Sequence, residues 1–347
     1  MRILFVAGLL LPMLLSGQES RDRLRFVFYN VENLFDPFDD SLTADEEFLP
    51  AGLRGWTWSR FEDKVKRIHK VLVALGDWEP PELIGLCEVE NHFVLHWLVS
   101  ETPLKKHEYR VIHRDSPDRR GIDVALLYRP GFFRPVSYQC YRVPDQGSCP
   151  ESTRDILYVK GILNEGDSLH LLINHWPSRW GGTLESRPER LAAAGLLRHI
   201  LDSLFMADRQ SRILVAGDFN DELTDASLRD CLGVQRPGAH CPDDALYFPY
   251  DGPLTGRPGS LKYQGRWYGF DLILVSGALL QDQALCVSRD GYRVFAPDFL
   301  LEDDPQWLGS RPFRTYRGYR YQGGFSDHLP VYIDLFTNGT QPSEPDR

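Results

Sequence analysis

Short apolar runs alternate with longer polar stretches along this chain, and the spacing of the apolar positions separates strands from helices. Phe26-Val27-Phe28-Tyr29, Leu83 to Cys87, Tyr109 to His113, Ile122 to Tyr128, Ile156 to Leu163, Leu169 to Ile173, Ile213-Leu214-Val215-Ala216, Leu272 to Val275 and Leu329 to Ile333 read as strands, bounded by turn-forming or charged residues. Two stretches follow the helical period instead. Phe61, Val65, Ile68, Leu72 and Leu75 share one face, and Ser59-Arg60-Phe61-Glu62 ahead of them has the form of a capping box. Between Arg190 and Phe205, residues Leu191, Ala194, Leu197, Ile200, Leu201 and Leu204 share another face, with Pro188 suited to the first turn. Many strands with a few amphipathic helices predict an α/β fold in which sheets pack face to face and helices cover the outside.

No internal repeat or low-complexity linker interrupts residues 22–336, which predicts one continuous domain. The tail, 337–347, is polar and contains Pro, and is expected to be disordered. At the other end, Arg2 followed by the apolar stretch Ile3 to Leu15 predicts a signal peptide over residues 1–17, cleaved near Gly17-Gln18. That stretch is short for a bilayer span, so the expectation is an exported, periplasmic or secreted protein with no stable membrane insertion. Cysteine usage agrees with export. Cys140 with Cys149, and Cys231 with Cys241, flank turn-rich loops and are expected to form local disulfides. Cys87 and Cys286 sit in apolar runs and are expected as buried thiols. No cysteine or histidine spacing resembles a zinc site.

The formal net charge of −10 disfavours tight, nonspecific binding to long nucleic acid, where many cationic contacts set the affinity. A hydrolase that touches its substrate briefly remains compatible. Positive charge is local: Arg114, Arg119, Arg120, Arg179, Arg187 and Arg190 flank the segments discussed next.

Polar side chains collect where the strands end. Asn30 and Glu32 follow the first strand, and Glu88 follows the second. Asn174 and His175 follow Leu169 to Ile173, and Gly217-Asp218-Phe219-Asn220 follows Ile213 to Ala216. Asp271 opens another strand, and Ser326-Asp327-His328 precedes the last. In α/β sheets ligands gather at strand ends, so these residues point to one shared site. Carboxylates and amides suit a hard cation, and a carboxylate paired with imidazole can move a proton or polarise a phosphoryl oxygen. A Gly-Asp with a nearby Asn also suits a plain turn after a strand, but a carboxylate such as Glu88 at the end of a buried strand is costly unless it has a partner.

Taken in order, Asn30, Cys87-Glu88-Val89, Gly121-Ile122-Asp123-Val124-Ala125, Asn174-His175-Trp176-Pro177, Gly217-Asp218-Phe219-Asn220, Asp271 and Ser326-Asp327-His328 resemble the endonuclease/exonuclease/phosphatase superfamily, the group that includes deoxyribonuclease I. The resemblance spans about residues 25 to 335. It implies a four-layer α/β sandwich, two packed and mostly antiparallel β-sheets flanked by helices, with the site at one edge. It also implies hydrolysis of phosphate esters, phosphodiesters first, by water activated with a divalent metal. Mg²⁺ is the first expectation, with Mn²⁺ or Ca²⁺ as alternatives, and the partner is a phosphate-ester substrate that includes nucleic acid among its candidates.

Carried over residue by residue, Glu88 resembles the principal metal carboxylate, Asn30 lies beside metal and phosphate, and Asp327 completes the metal shell or supports His328. Asp218 resembles the residue that orients or deprotonates water. Asn220 holds a phosphoryl oxygen, His328 contacts the scissile phosphate with Asp271 behind it, and His175 resembles the second histidine near the leaving group. The chain departs from the family in having Cys87 where a Gln usually precedes the metal Glu. Glu32 and Glu90 stay open between a supporting role and surface charge, and Asp123 between orienting His175 and capping a turn. Trp176, Trp180, Trp267 and Tyr268 are either stacking platforms or ordinary core and rim. The acidic loop from Asp36 to Glu47 reads first as a solvated charge run and second as a Ca²⁺ site, without EF-hand spacing.

Overall fold

The computed structural model describes residues 23–76, 79–144, 153–163, 166–252, 259–281 and 284–337. The expected signal peptide, Cys149 and residues 338–347 of the tail lie outside them. In chain order the strands begin with β1 (Arg23–Leu34), β2 (Leu83–Val89), β3 (Arg110–His113), β4 (Asp123–Tyr128), β5 (Phe133–Tyr141) and β6 (Ile156–Leu163). They continue with β7 (Ser168–His175), β8 (Ile213–Asp218), β9 (Leu246–Tyr247), β10 (Leu261–Tyr263), β11 (Arg266–Tyr268) and β12 (Asp271–Ser276). The last are β13 (Leu285–Val287), β14 (Arg293–Val294), β15 (Leu301–Asp303), β16 (Ser310–Pro312), β17 (Tyr316–Arg317), β18 (Arg320–Tyr321) and β19 (Val331–Thr337). The longer helices are α1 (Trp58–Leu75), α2 (His92–Ser100) and α3 (Arg187–Ala207).

Two sheets carry the fold. The first runs β13-β19-β1-β2-β4-β3, with β14 also on β19, and the second runs β5-β6-β7-β8-β12-β9. Each is antiparallel apart from one central pair, β1 with β2 and β7 with β8. A parallel pair needs a long crossover. Helix α1 lies in the first crossover and α3 in the second.

Alternation along β1 shows how the layers form. Phe26 and Phe28 join Leu169, Leu171, Ile173, Leu214 and Ala216 in the core between the sheets. Val27 and Tyr29, pointing the other way, join Phe61, Val65, Ile68 and Leu72 of α1. On the second sheet, Leu172 and Val215 have the opposite parity to Leu171 and Leu214 and cluster with Ala194, Leu197 and Leu201 of α3. The order is therefore helix, sheet, sheet, helix, the four-layer sandwich that the resemblance implies.

Local details differ from the sequence reading. Helix α1 begins at Trp58 with Thr57 at its cap and no side-chain cap, so the Ser59–Glu62 capping box does not form. Glu62 Oε1 instead accepts the Trp58 indole Nε1 at 3.2 Å. The Cys231–Cys241 disulfide is also absent. Both are free thiols: Cys231 ends a short π-helical turn, Ser227–Cys231, packed on the core, while the buried Cys241 turns its sulfur back to the Gly238 carbonyl at 3.7 Å. Cys140 is a half-buried thiol, and its expected partner lies outside the described residues. Cys87 and Cys286 are buried in β2 and β13, as expected. Strand β19 continues through Thr337. Among the described residues no helix is long and apolar enough to cross a membrane.

The register of β6 and β7 places Lys160 opposite His170, whose Nδ1 also meets the Tyr158 hydroxyl at 2.8 Å. Burial, helped by the charge of Lys160, pushes the His170 imidazole down to about 4. The unfolded chain therefore holds a proton on this residue between about pH 4 and 6.5 that the folded chain does not, and stability from His170 falls as pH drops through that window. Chemical denaturation at pH 7, 5.5 and 4.5 is expected to show a shallower acid loss in His170→Gln than in the wild type, and parallel losses would remove the assignment.

Candidate active site

Strand register assembles one half of the site. In the second sheet His175 pairs with Asp218 across β7 and β8, and Asp218 pairs with Asp271 across β8 and β12. Directly opposed residues share a face, so three polar side chains form one row at the strand ends. The parallel pair is unusually close there. A Cβ at Gly217 would stand 2.6 Å from the Asn174 carbonyl oxygen, so only glycine fits beside that strand. Trp176, which follows β7, is buried and stacks edge-on against Phe219 at 4.8 Å, a core contact rather than a stacking platform.

The first sheet supplies the other half. Asn30 pairs with Cys87 in the β1–β2 ladder, after which the register shifts and Glu88 turns into the site. Glu32, Asn33, Glu88 and Asn220 adopt left-handed backbone with φ of 51°, 55°, 61° and 49°. Non-glycine residues pay a conformational cost for this geometry, and here it falls at the irregular ends of β1 and β2 and just past β8. Asn33 N donates to Glu88 Oε2 at 2.9 Å and fixes that carboxylate.

Asp218 is the hub. Its Oδ2 accepts Asn30 Nδ2 at 3.1 Å and stands 3.8 Å from both His175 Nε2 and His328 Nε2, while Oδ1 accepts Asn220 N at 3.0 Å. Asn30 Nδ2 also donates to Glu88 Oε1 at 3.1 Å, so one amide links the two carboxylates. The Asn30 oxygen accepts Glu32 N at 3.0 Å, which turns it toward the backbone. His328 Nδ1 meets Asp271 Oδ2 at 2.7 Å, and Ser326 positions the segment by accepting His328 N and donating to Asn30 O.

Burial sets the charges. It pushes the Asp218 carboxyl up to about 7, with the charge of Asp271 adding to the shift. Burial would lower His328, but Asp271 and Asp218 outweigh it and hold the imidazole well above its ordinary value. His175 moves the opposite way, kept neutral by burial and by Arg154, Arg120 and His328. Two histidines of one site thus differ in charge because only one has a carboxylate within hydrogen-bond reach.

Other expected residues take different partners. Asp123 pairs with His113 Nε2 at 3.0 Å and accepts Ser116 N at 2.8 Å, so it does not orient His175. Asp327 Oδ2 meets the Arg314 guanidinium at 2.8 Å, and Arg314 reaches Glu32 at 3.2 Å. Burial opposes ionisation of Asp327, yet Arg314, His328 and Lys64 together outweigh it and lower the carboxyl. Asn220 Nδ2 donates to Trp176 O at 3.1 Å, which leaves its second N–H for a ligand. Arg179 and Arg190 converge on Asp221 at 2.9 and 2.7 Å and brace the loop after β8.

Arg314, Arg154 and Lys64 escape sequence reasoning. Arg154 donates to Asp118 at 3.0 Å and to Trp176 O at 2.6 Å, and it bears on His175. Buried Lys64 donates to Thr315 Oγ1 at 2.6 Å and supports the segment holding Arg314. Lys64 had a signal, since it lies on the apolar stripe of α1 between Phe61 and Val65. Arg314 had none, because its partners are 282 and 13 residues away.

A hard divalent cation fits this donor set. Asp218, Asp271 and His328 each offer an atom within 4.8 Å of the others, Asp271 Oδ1 is buried without a partner, and Glu88 joins Asp218 through the shared Asn30 amide. Glu88 is the carboxylate held in place with one oxygen toward the cluster.

Residues 25–337 match the model of the Endonuclease/Exonuclease/phosphatase family. No curated protein matches the sequence. Among solved structures, an endonuclease/exonuclease/phosphatase family protein from Bacteroides thetaiotaomicron is 15% identical with a TM-score of 0.56, covering 91% of this chain and 98% of its own. The human Nocturnin catalytic domain, solved with a bound sulfate anion, is 18% identical with a TM-score of 0.53 over 91% of this chain and 95% of its own. A mannosyl-6-phosphatase from Bacteroides thetaiotaomicron is 16% identical with a TM-score of 0.53 over 90% and 99%. These likenesses share the fold, and with the family match over nearly all described residues, the chain belongs to the endonuclease/exonuclease/phosphatase family.

Proposed function

We propose that the protein is an exported, metal-dependent phosphoesterase that hydrolyses phosphodiester bonds, as an endonuclease on DNA or RNA. The observation that carries this is the buried row His175, Asp218 and Asp271 facing His328, Asn30 and Glu88. Glu88 is the principal ligand in this reading, with Asp327 able to join it on release from Arg314. A divalent cation held there neutralises phosphate charge and polarises a phosphoryl oxygen. Asp218, poised near neutrality, takes the proton of the attacking water as the new P–O bond forms and the ester P–O bond breaks. His328 is charged and oriented by Asp271, so its Nε2–H stabilises charge on the phosphoryl group. Neutral His175 offers an uncharged nitrogen to the same pocket.

The rim supports a nucleic-acid substrate. Trp180 is 92% exposed next to Arg179, whose Nε donates to Asn220 O at 2.6 Å, so a flat apolar surface stands beside the loop that carries Asn220. One observation favours a second reading, a small phosphate monoester. Arg154, Arg179 and Arg190 are engaged in ion pairs, which leaves less positive charge to follow a polynucleotide. A panel of DNA, RNA, bis-p-nitrophenyl phosphate and sugar phosphates, each with Mg²⁺, Mn²⁺ and Ca²⁺, separates the two. Turnover of monoesters alone would reverse the order, and no metal-stimulated turnover would remove both.

His328→Ala and Asp218→Asn are each expected to lower the rate at least about 10²-fold with unchanged melting curves. Near-native turnover in either folded variant would reassign that residue. Glu88→Gln is expected to weaken Mg²⁺ or Mn²⁺ binding by about tenfold or more, with a smaller effect on substrate affinity. Unchanged calorimetric affinity for the metal would move the ligand elsewhere.

A further inference from the structure

Arg314 differs from the other arginines near the site. Arg190 and Arg154 have side chains 1% and 6% exposed and are paired inside the fold. The Arg314 side chain is 40% exposed, while its partner Glu32 is 4% exposed. Its Nε donates to Glu32 Oε1 at 3.2 Å and its Nη2 to Asp327 Oδ2 at 2.8 Å. Nη1 has no acceptor among the described residues and is not a buried atom, so its two N–H groups face solvent.

The segment that carries Arg314 is pinned at several points. Thr315 N donates to Glu32 Oε2 at 2.6 Å, so the two oxygens of that carboxylate hold two consecutive residues. Lys64 Nζ donates to Thr315 Oγ1 at 2.6 Å and to Phe325 O at 2.5 Å, and Gly324 N donates to Arg314 O at 3.2 Å. Charge is balanced there as well. Glu32 and Asp327 act on both Arg314 and Lys64, which sets two cations against two carboxylates. Lys64, 1% exposed, is a buried counter-ion. A counter-ion needs no exposed edge, and Arg314 has one. The charge of Arg314 also reaches Glu88.

We propose that Arg314 is a substrate-contact residue whose Nη1 donates to a phosphoryl oxygen of the substrate on the Glu32–Asp327 side of the cluster. This rests on the phosphoesterase reading above. The guanidinium fork suits phosphate oxygens, and a charge-assisted bond to an oxyanion is stronger than a neutral one. With the Nε and Nη2 edge already fixed, the side chain has little freedom left to lose when an anion arrives. Because the two carboxylates are balanced by two cations, they do not turn the anion away. The oxygen belongs to the scissile phosphate or to a phosphate next to it along the substrate, and the same donor serves both.

Inorganic phosphate titrated calorimetrically into the full chain with Mg²⁺ present is the test, with Mg²⁺ titrated separately. Arg314→Gln is expected to weaken phosphate binding about tenfold without weakening Mg²⁺ binding, since loss of a positive charge beside carboxylates favours a cation. Arg314→Lys keeps the charge but not the fork. It is expected to fold even where Arg314→Gln does not, and to weaken phosphate binding about threefold or more. The proposal is overturned if the wild type binds no phosphate, if either folded variant binds phosphate as the wild type does, or if phosphate and Mg²⁺ affinities fall together by the same factor. Turnover then tells which phosphate is held. Arg314→Gln raises KM for bis-p-nitrophenyl phosphate if the contact is to the scissile phosphate, and only for a dinucleotide bearing a 5′-phosphate if it is to the neighbour. Arg314-dependent phosphate binding without turnover of any phosphate ester would keep this contact and remove the phosphoesterase reading. Turnover with unchanged phosphate binding in Arg314→Gln would do the reverse.

Discussion

The site depends on a carboxylate, Asp218, held where water is scarce and other carboxylates are near. It ends β8 at the seam between the two sheets, with Asp271 beside it in the ladder and Glu88 reached through the Asn30 amide. Repulsion in that space must be relieved. The structure relieves it locally with charged His328 and with Arg314 and Lys64 on the Glu32–Asp327 side, and the carboxylate set remains suited to a divalent cation. Left-handed backbone at Glu32, Asn33, Glu88 and Asn220 is the strain accepted to aim these groups inward, and the packed sheets behind them hold it in place.

The sandwich explains why these groups meet. Each sheet has one parallel pair, each pair requires a helical crossover, and the polar residues follow the strands of those pairs. The loops leaving the parallel strands emerge at the same edge. The arginines near that edge serve mainly as braces: Arg179 and Arg190 clamp Asp221, and Arg154 ties Asp118 to the Trp176 carbonyl. In the function proposed above, substrate contact would fall to the histidines, to the second amide hydrogen of Asn220 and to exposed rim groups such as Trp180.

Much of this was legible from residue order. Continuous apolar runs located β1, β2, β4, β6, β7, β8 and β12 to within a few residues, because strands buried on both faces need continuous apolar sequence. The chemistry-bearing residues stood out because polar side chains directly after such runs have few structural reasons to be there. The failures share one cause, competition from a partner that the residue pattern alone does not single out. Glu62 is taken by the Trp58 indole instead of capping α1, Cys241 faces its own loop instead of Cys231, and Asp123 finds His113.

By itself the sequence determined the central apolar strands, the two crossover helices and the list of residues at strand ends, since apolar runs and local polarity are properties of neighbours along the chain. It also carried enough ordered motifs to mark the family. Only tertiary structure decided which of those residues touch, which histidine is charged and which is neutral, and how Arg314 comes to bridge Glu32 and Asp327. Those outcomes depend on burial and on distances of a few ångströms between segments far apart in the chain, and electrostatic energy in a poorly solvated interior changes steeply over such distances.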